Sequence, residues 1–279
     1  MDINTHTITT ALLTPEGLYP APYQATSIQE AAKYEPPGVY TVARTYHRTY
    51  TLELDAHLDR LEESAHLLGV PLRLKRQAVR AALRELINQA GYPESRFRIT
   101  VPRAQPDQAY FAIEPLNGVP PEVRAGGVRV RTVTLQRDNP RAKHTSWMAL
   151  RAEIKEQVGD TIYEVLLSSP DGLLLEGMSS NFYAILDGQL RTASDGILHG
   201  ISRRIVLEVA PDVLPVVEQP VAREDIPRLG EAFLSSSSRG VIPVVEIDGQ
   251  PVGDGRPGPL TRAIEGLYDA WAEAHLEPL

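Results

Sequence analysis

From Gly38 to Thr45 apolar and polar side chains alternate with a period near two, and the stretch is rich in β-branched residues, which predicts a strand. The period then changes. Leu58, Leu61, Ala65 and Leu68 follow at spacings of 3, 4 and 3, one face of a helix, with Asp55 as its expected N-cap. A second helix is expected over about Leu74–Ala90, stopped by Gly91 in the C′ position. Phe97–Val101 and Ala109–Glu114 read as two more strands joined by a polar turn. Residues 1–114 therefore predict a small α+β domain.

Pro115 to Gly127 breaks this pattern with three prolines and three glycines in thirteen residues, and is expected to be an interdomain linker. Over 128–279 strands dominate: about 128–134, 161–168, 181–186, 213–218, 231–236 and 243–247. Helices are expected near 146–157, 202–210 and 259–276, the last with Leu260, Ile264, Leu267, Tyr268 and Trp271 on one stripe. The four serines Ser235–Ser238 read as an ordered turn after a strand. The whole is a two-domain, mixed α+β or α/β chain.

Composition narrows the function. The 279 residues carry 28 basic and 36 acidic side chains, and 28 − 36 = −8 argues against nucleic-acid or anionic-membrane partners. The absence of cysteine removes disulfides, thiolate metal sites and cysteine nucleophiles. No apolar run is long enough for a membrane span, and Met1 to Thr10 has no charged start followed by an apolar stretch, so a cytoplasmic protein is expected. Gly253-Asp-Gly-Arg-Pro-Gly258 imitates a dinucleotide-binding loop, yet no crossover unit surrounds it and a proline interrupts it. It is expected to be a hairpin exit into the last helix. The seven histidines (His6, His47, His57, His66, His144, His199, His275) show no ligand-like spacing, and no metal is expected.

Four loop-like polar groups remain: Lys143 between a strand and a helix, Glu176 between two strands, Gly196-Ile-Leu-His-Gly-Ile-Ser-Arg203 at a helix start, and Ser235-Ser-Ser-Ser-Arg-Gly240 after a strand. Each alone is weak. Taken together they suit one cofactor. A phosphate needs helix-start N–H groups and hydroxyls, which Gly200, Ile201 and Ser202 with Ser236 and Ser237 would supply. A carbonyl cofactor needs a lysine, and a pyridinium nitrogen needs a carboxylate; Lys143 and Glu176 fit those roles. Pyridoxal 5′-phosphate requires all of these at once.

The chain resembles the class IV (fold-type IV) pyridoxal-phosphate aminotransferases, the family of branched-chain and D-amino-acid aminotransferases and aminodeoxychorismate lyases. Six blocks carry the resemblance in order: Ala56-His-Leu-Asp-Arg-Leu-Glu-Glu-Ser-Ala65, Lys143, Glu176-Gly-Met-Ser-Ser-Asn-Phe182, Gly196 to Arg203, Phe233 to Ser238 with Pro243-Val, and Asp254-Gly-Arg-Pro-Gly-Pro-Leu-Thr261. It implies a small α+β domain and a larger one with a β-barrel-like core, usually assembled as a homodimer. It implies that Lys143 holds the cofactor as a Schiff base and carries the proton, that Glu176 pairs with the pyridine nitrogen, and that Arg60 binds the phosphate with Ile201, Ser202 and Ser237. Leu198 would pack on the ring, and Ser180 and Asn181 would line the same pocket.

Two departures stand out. Met148 takes the place, five residues after the lysine, where branched-chain enzymes carry a tyrosine. Pro102-Arg-Ala-Gln-Pro-Asp-Gln108 lacks the arginine–histidine pair of the best-known D-amino-acid enzymes. The strand bearing Tyr40, Val42 and Arg44 corresponds to one that faces substrate in the family, and Arg44, Arg98, or else Arg96 or Arg103, would read a substrate carboxylate. The expected activity is transamination between an amino acid and a 2-keto acid, with aminodeoxychorismate lyase-type elimination as the alternative. A non-catalytic cofactor-binding scaffold is disfavoured by the joint presence of Lys143 and Glu176.

Overall fold

The computed structural model describes residues 7–159 and 161–279, so His6 and the start of the Met1–Thr10 stretch lie outside it. It divides into two units: residues 1–117, 142–150 and 275–279 form the first, and 118–141 with 151–274 the second. The expected division at 115–127 differs in two ways. Residues 121–126 of the expected linker form a helix, opened by Pro121 where a missing N–H costs nothing. Two segments distant in sequence, 142–150 and 275–279, also return to the first unit.

The first unit contains strands β1 (Thr9–Thr14), β2 (Gly17–Pro20), β3 (Gly38–Tyr46), β4 (Tyr50–Leu52), β5 (Ser95–Pro102) and β6 (Ala109–Pro115), with helices α1 (Ile28–Ala31), α2 (Leu54–Leu67) and α3 (Arg76–Ala90). In the second, α4 (Pro121–Gly126) is followed by β7 (Val128–Thr134), α5 (Ser146–Val158, which begins in the first unit), β8 (Glu164–Ser168), β9 (Leu174–Gly177), β10 (Ser180–Leu186), β11 (Gln189–Arg191), α6 (Ile201–Val209), β12 (Val216–Val217), β13 (Glu231–Ser236), β14 (Gly240–Ile247), β15 (Gln250–Pro251) and α7 (Pro259–Ala274). The chain ends on β16 (Leu276–Pro278), back in the first unit.

In the first unit seven strands form an antiparallel sheet in the order β16-β4-β3-β5-β6-β1-β2. Because side chains alternate along a strand, Val39 and Ala43 of β3, Phe97, Ile99 and Val101 of β5, and Phe111 and Ile113 of β6 share one face. The apolar stripes of α2 (Leu54, Leu58, Leu61, Ala65) and α3 (Val79, Leu83, Ile87) bury against them. The opposite face carries Tyr40, Val42 and Arg44 opposite Thr100, Arg98 and Arg96. Helix α2 starts one residue before the expected Asp55 cap, with Glu53 in the left-handed region (φ 54°) and no side-chain cap of its own. The first N–H is satisfied from far along the chain instead: Leu54 N donates to Glu277 Oε1 at 2.9 Å. Gly91 ends α3 at φ 68°, a conformation open to glycine at little cost.

In the second unit β10-β13-β14-β7-β8-β9 run side by side and β9 pairs again with β10, closing six strands into a barrel. Its interior holds Val130, Leu166, Leu174, Phe182, Leu234, Ile242 and Val244. The tight β9–β10 turn places Glu176 inside a strand, opposite Asn181, rather than on a loop. The Gly253–Gly258 stretch leads from the β15 hairpin into α7; a Cβ at Gly253 would lie 2.3 Å from the Gly230 carbonyl oxygen, so glycine there serves packing. The Glu231 carboxylate accepts from Leu260 N at 3.0 Å and Thr261 N at 2.7 Å, capping α7 where the helix dipole favours negative charge. Of the predicted α7 stripe, Ile264 and Tyr268 are buried, joined by Thr261 and Ala272, while Leu260, Leu267 and Trp271 are half-buried. No helix among the described residues is long and apolar enough to cross a membrane.

Candidate active site

Lys143 lies outside regular structure in the first unit, and both polar ends of its backbone are held. Its N–H donates to Ser64 Oγ of α2 at 3.0 Å, and its carbonyl accepts from Tyr40 N of β3 at 3.0 Å. The Nζ stands 4.9 Å from the centroid of the Tyr40 ring. The chain has four lysines; Lys33, Lys75 and Lys155 are exposed and Lys143 is half-buried. One turn before Ser64, Arg60 is buried (8 % exposed), and its Nη2 points to Thr41 Oγ1 at 3.4 Å. Burial pushes the Arg60 guanidinium down to about 10, opposed by Tyr40 and Glu63, which still leaves it cationic at neutral pH.

The second unit holds the carboxylate and the anion cradle. Glu176, 3 % exposed, accepts from Arg137 Nη1 at 2.9 Å on one oxygen and from Leu198 N at 3.0 Å on the other. Asn181 Nδ2 donates to Leu198 O at 2.9 Å, and a Cβ on Gly200 would fall 2.2 Å from Asn181 Oδ1. That close approach requires glycine immediately before α6. Gly200 offers no capping side chain, so the first turn of α6 presents its N–H groups at the positive end of the helix dipole. Ser202 Oγ lies 3.4 Å from Ser237 Oγ of the β13–β14 turn, bringing two hydroxyls to the same place.

Several residues named from the sequence have partners of their own. Arg98 is 1 % exposed and ion-paired to Glu35 at 2.6 Å, with further bonds to Ile28 O and Thr100 Oγ1. It ties α1 and the chain before β3 to the sheet. Arg44 pairs with Glu94 and stacks on Tyr46, and Arg96 pairs with Glu114. Ser180 Oγ engages Glu164, and Ser236 Oγ accepts from Arg239 Nε at 2.9 Å. Arg103 is exposed at the end of β5; among the described residues no hydrogen bond or ion pair engages its guanidinium, and its N–H donates to Pro37 O at 2.9 Å. Arg137 went unnoticed in the sequence, where nothing separates it from the other arginines. His57, Thr41 and Ser64 were likewise missed, although His57 and Ser64 lie in the Ala56–Ala65 block. No group of acidic or histidine side chains among the described residues is arranged to hold a metal ion.

The first unit offers an amine and a buried arginine, and the second a buried charge-compensated carboxylate and a helix N-terminus with two hydroxyls; these are the kinds of group that a phosphorylated pyridine aldehyde takes.

The pattern of the family Amino-transferase class IV matches residues 38–247. The D-alanine aminotransferase of Bacillus licheniformis is 30% identical over 250 residues, covering 82% of this chain and 85% of that one. The branched-chain-amino-acid aminotransferase of Pseudomonas aeruginosa is 26% identical over 266 residues, covering 86% of this chain and 87% of its own. The fold is also that of the T.th. branched-chain amino acid aminotransferase crystallised with pyridoxamine 5′-phosphate, at a TM-score of 0.81 and 21% identity over 98% and 99% of the two chains. The closed barrel, the half-buried lysine and the matched pattern converge: this chain belongs to the class IV aminotransferases, pyridoxal-phosphate-dependent enzymes that move an amino group between an amino acid and a keto acid.

Proposed function

We propose that this chain binds pyridoxal 5′-phosphate through Lys143 and transaminates amino acids whose α-carboxylate is read by Arg103. The observation that carries the reading is Lys143 itself, the single lysine of four that is not exposed, with its backbone held at both ends. When bound, the cofactor supplies a carbonyl that takes the amino group and a ring that withdraws electrons from the substrate Cα. Lys143 Nζ would hold the cofactor at its carbonyl carbon and would carry the proton to and from the substrate Cα. Glu176 would accept from the cofactor's ring nitrogen, with Arg137 and the Leu198 N–H balancing its charge. Arg60, the first-turn N–H groups of Ile201 and Ser202, and the hydroxyls of Ser202 and Ser237 take the phosphate.

Arg60→Ala is expected to weaken cofactor affinity more than it slows the saturated enzyme. A charge-assisted contact of about 1.5–3 kcal/mol corresponds to roughly ten- to a hundredfold. Titration of apoenzyme with cofactor, followed by absorbance, measures this directly, and an unchanged dissociation constant would remove Arg60 from the phosphate site.

For the substrate, Arg44, Arg96 and Arg98 each have a carboxylate partner, which leaves Arg103. Arg103→Gln is expected to raise the Michaelis constant for amino acids about ten- to a hundredfold and to leave thermal stability nearly unchanged. Arg98→Gln should do the reverse. Removing one member of a buried ion pair costs about 3–5 kcal/mol and strands the Glu35 charge, so its midpoint should fall sharply.

Tyr40 and Val42 form the proposed side-chain wall and favour small apolar donors. The relatives named D-alanine and branched-chain aminotransferases make alanine, valine, leucine and isoleucine, each as both enantiomers, the panel to run with one keto-acid acceptor. Acceptor-dependent turnover supports the reading; multiple-turnover pyruvate release from aminodeoxychorismate without an acceptor would favour lyase chemistry, and simple amines used as readily as amino acids would refute carboxylate recognition. A homodimeric, cytoplasmic enzyme belongs to the same proposal, and sedimentation of the holoenzyme at twice 30.7 kDa is the expected result.

A further inference from the structure

Helix α2 carries a second stripe beside its apolar one: His57, Arg60 and Ser64, at spacings of 3 and 4, all buried. A buried polar stripe is costly unless each member is hydrogen-bonded, so the partners here identify what the stripe does. His57 Nδ1 lies 2.8 Å from Thr41 Oγ1, the same hydroxyl that Arg60 Nη2 approaches. Ser64 Oγ donates to the Arg60 carbonyl at 2.7 Å, the usual local bond of a helical serine. That bond alone would satisfy the hydroxyl. It also accepts from Lys143 N, 79 residues along the chain.

We infer that Ser64 is a positioning residue for transamination, fixing the root of Lys143 relative to Arg60; this rests on the roles given to those two residues above. A lysine side chain has four flexible carbons and much rotamer freedom, so its ammonium is aimed only if its Cα–Cβ bond is held. Residue 143 belongs to no helix or strand that would hold it. Its peptide is instead held on the N–H side by Ser64 Oγ and on the carbonyl side by Tyr40 N, while the next segment is tied by Thr145 N to Gly38 O at 2.9 Å and Gly38 N to Thr145 Oγ1 at 3.0 Å. Ser64 also bonds the residue assigned to the phosphate, through the Arg60 carbonyl. The hydroxyl therefore sets the distance between the phosphate anchor and the lysine that must meet the carbonyl.

The test uses cofactor-saturated Ser64→Ala and Ser64→Cys, the second nearly isosteric with a weaker donor and acceptor. In Ser64→Ala kcat should fall about tenfold or more, as for loss of a partner to a buried donor, with KM within about twofold. Ser64→Cys should fall between Ser64→Ala and wild type. Amide hydrogen exchange of Lys143 should accelerate in Ser64→Ala, in the apoenzyme as well as the holoenzyme. Equal kcat losses in both variants, or none in either, would overturn the coupling. Should the variants fail to fold, the wild-type Lys143 amide decides: protection is expected, and exchange at the rate of an open loop would overturn the proposal. Failure of the underlying reading would look different, since wild-type enzyme would then carry no cofactor on Lys143 at all.

Discussion

Lys143→Ala should abolish transamination while leaving the fold intact. The side chain is half-buried at a clamped backbone, and its removal leaves the Ser64 and Tyr40 bonds to residue 143 in place, because both are made to main-chain atoms. The structural cost is therefore small. The chemical cost is not. The covalent hold on the cofactor and the group that moves the Cα proton both disappear, and the proton transfer alone is worth about 10²–10⁴ in rate. The variant should show an unchanged thermal midpoint as apoenzyme, weak and reversible cofactor binding, and no measurable turnover. Wild-type turnover in this variant would place the lysine chemistry elsewhere.

Glu176→Gln should retain cofactor and lose activity by roughly 10²–10³, the order seen when one preorganised electrostatic partner is removed from a site. The carboxylate faces two donors, Arg137 Nη1 and Leu198 N, one on each oxygen. A glutamine has a single acceptor oxygen, so its amide NH₂ must face one of these donors or the cofactor. Either arrangement loses a buried hydrogen bond, and neither supplies the negative charge that keeps a ring nitrogen protonated. The effect should therefore appear in kcat, and in a modest loss of stability, more than in KM. Kinetics on the saturated variant check it, and wild-type kcat would remove Glu176 from the mechanism.

Much of the fold was legible because amphipathic periods are local. Strand β3, helices α2 and α3, and most barrel strands lie where the pattern places them, within a few residues. What escaped the pattern depends on distant partners. Strand β16 has three residues, too few for any period, and exists because Leu276 and Glu277 pair with Leu52 and Thr51. The α2 cap is Glu277, more than two hundred residues away, so a local search settled on Asp55. The site divides the same way. Lys143, Glu176, Arg60 and the α6 start could be proposed from their blocks, while Arg137 and Ser64 enter only through the atoms they meet in the fold. Arg98 shows the converse: its place on a strand face suggests a carboxylate reader, and its Glu35 partner is invisible in the sequence.

The most direct test of Lys143 as the cofactor-bearing residue is borohydride reduction of the yellow holoenzyme, followed by peptide mapping by mass spectrometry. Four lysines can carry the reduced phosphopyridoxyl group: Lys33, Lys75, Lys143 and Lys155. The expected result is one modified peptide with the mass increment on Lys143, absent from Lys143→Ala. A stable adduct on Lys33, Lys75 or Lys155 instead, or no adduct in a fully active enzyme, would contradict it.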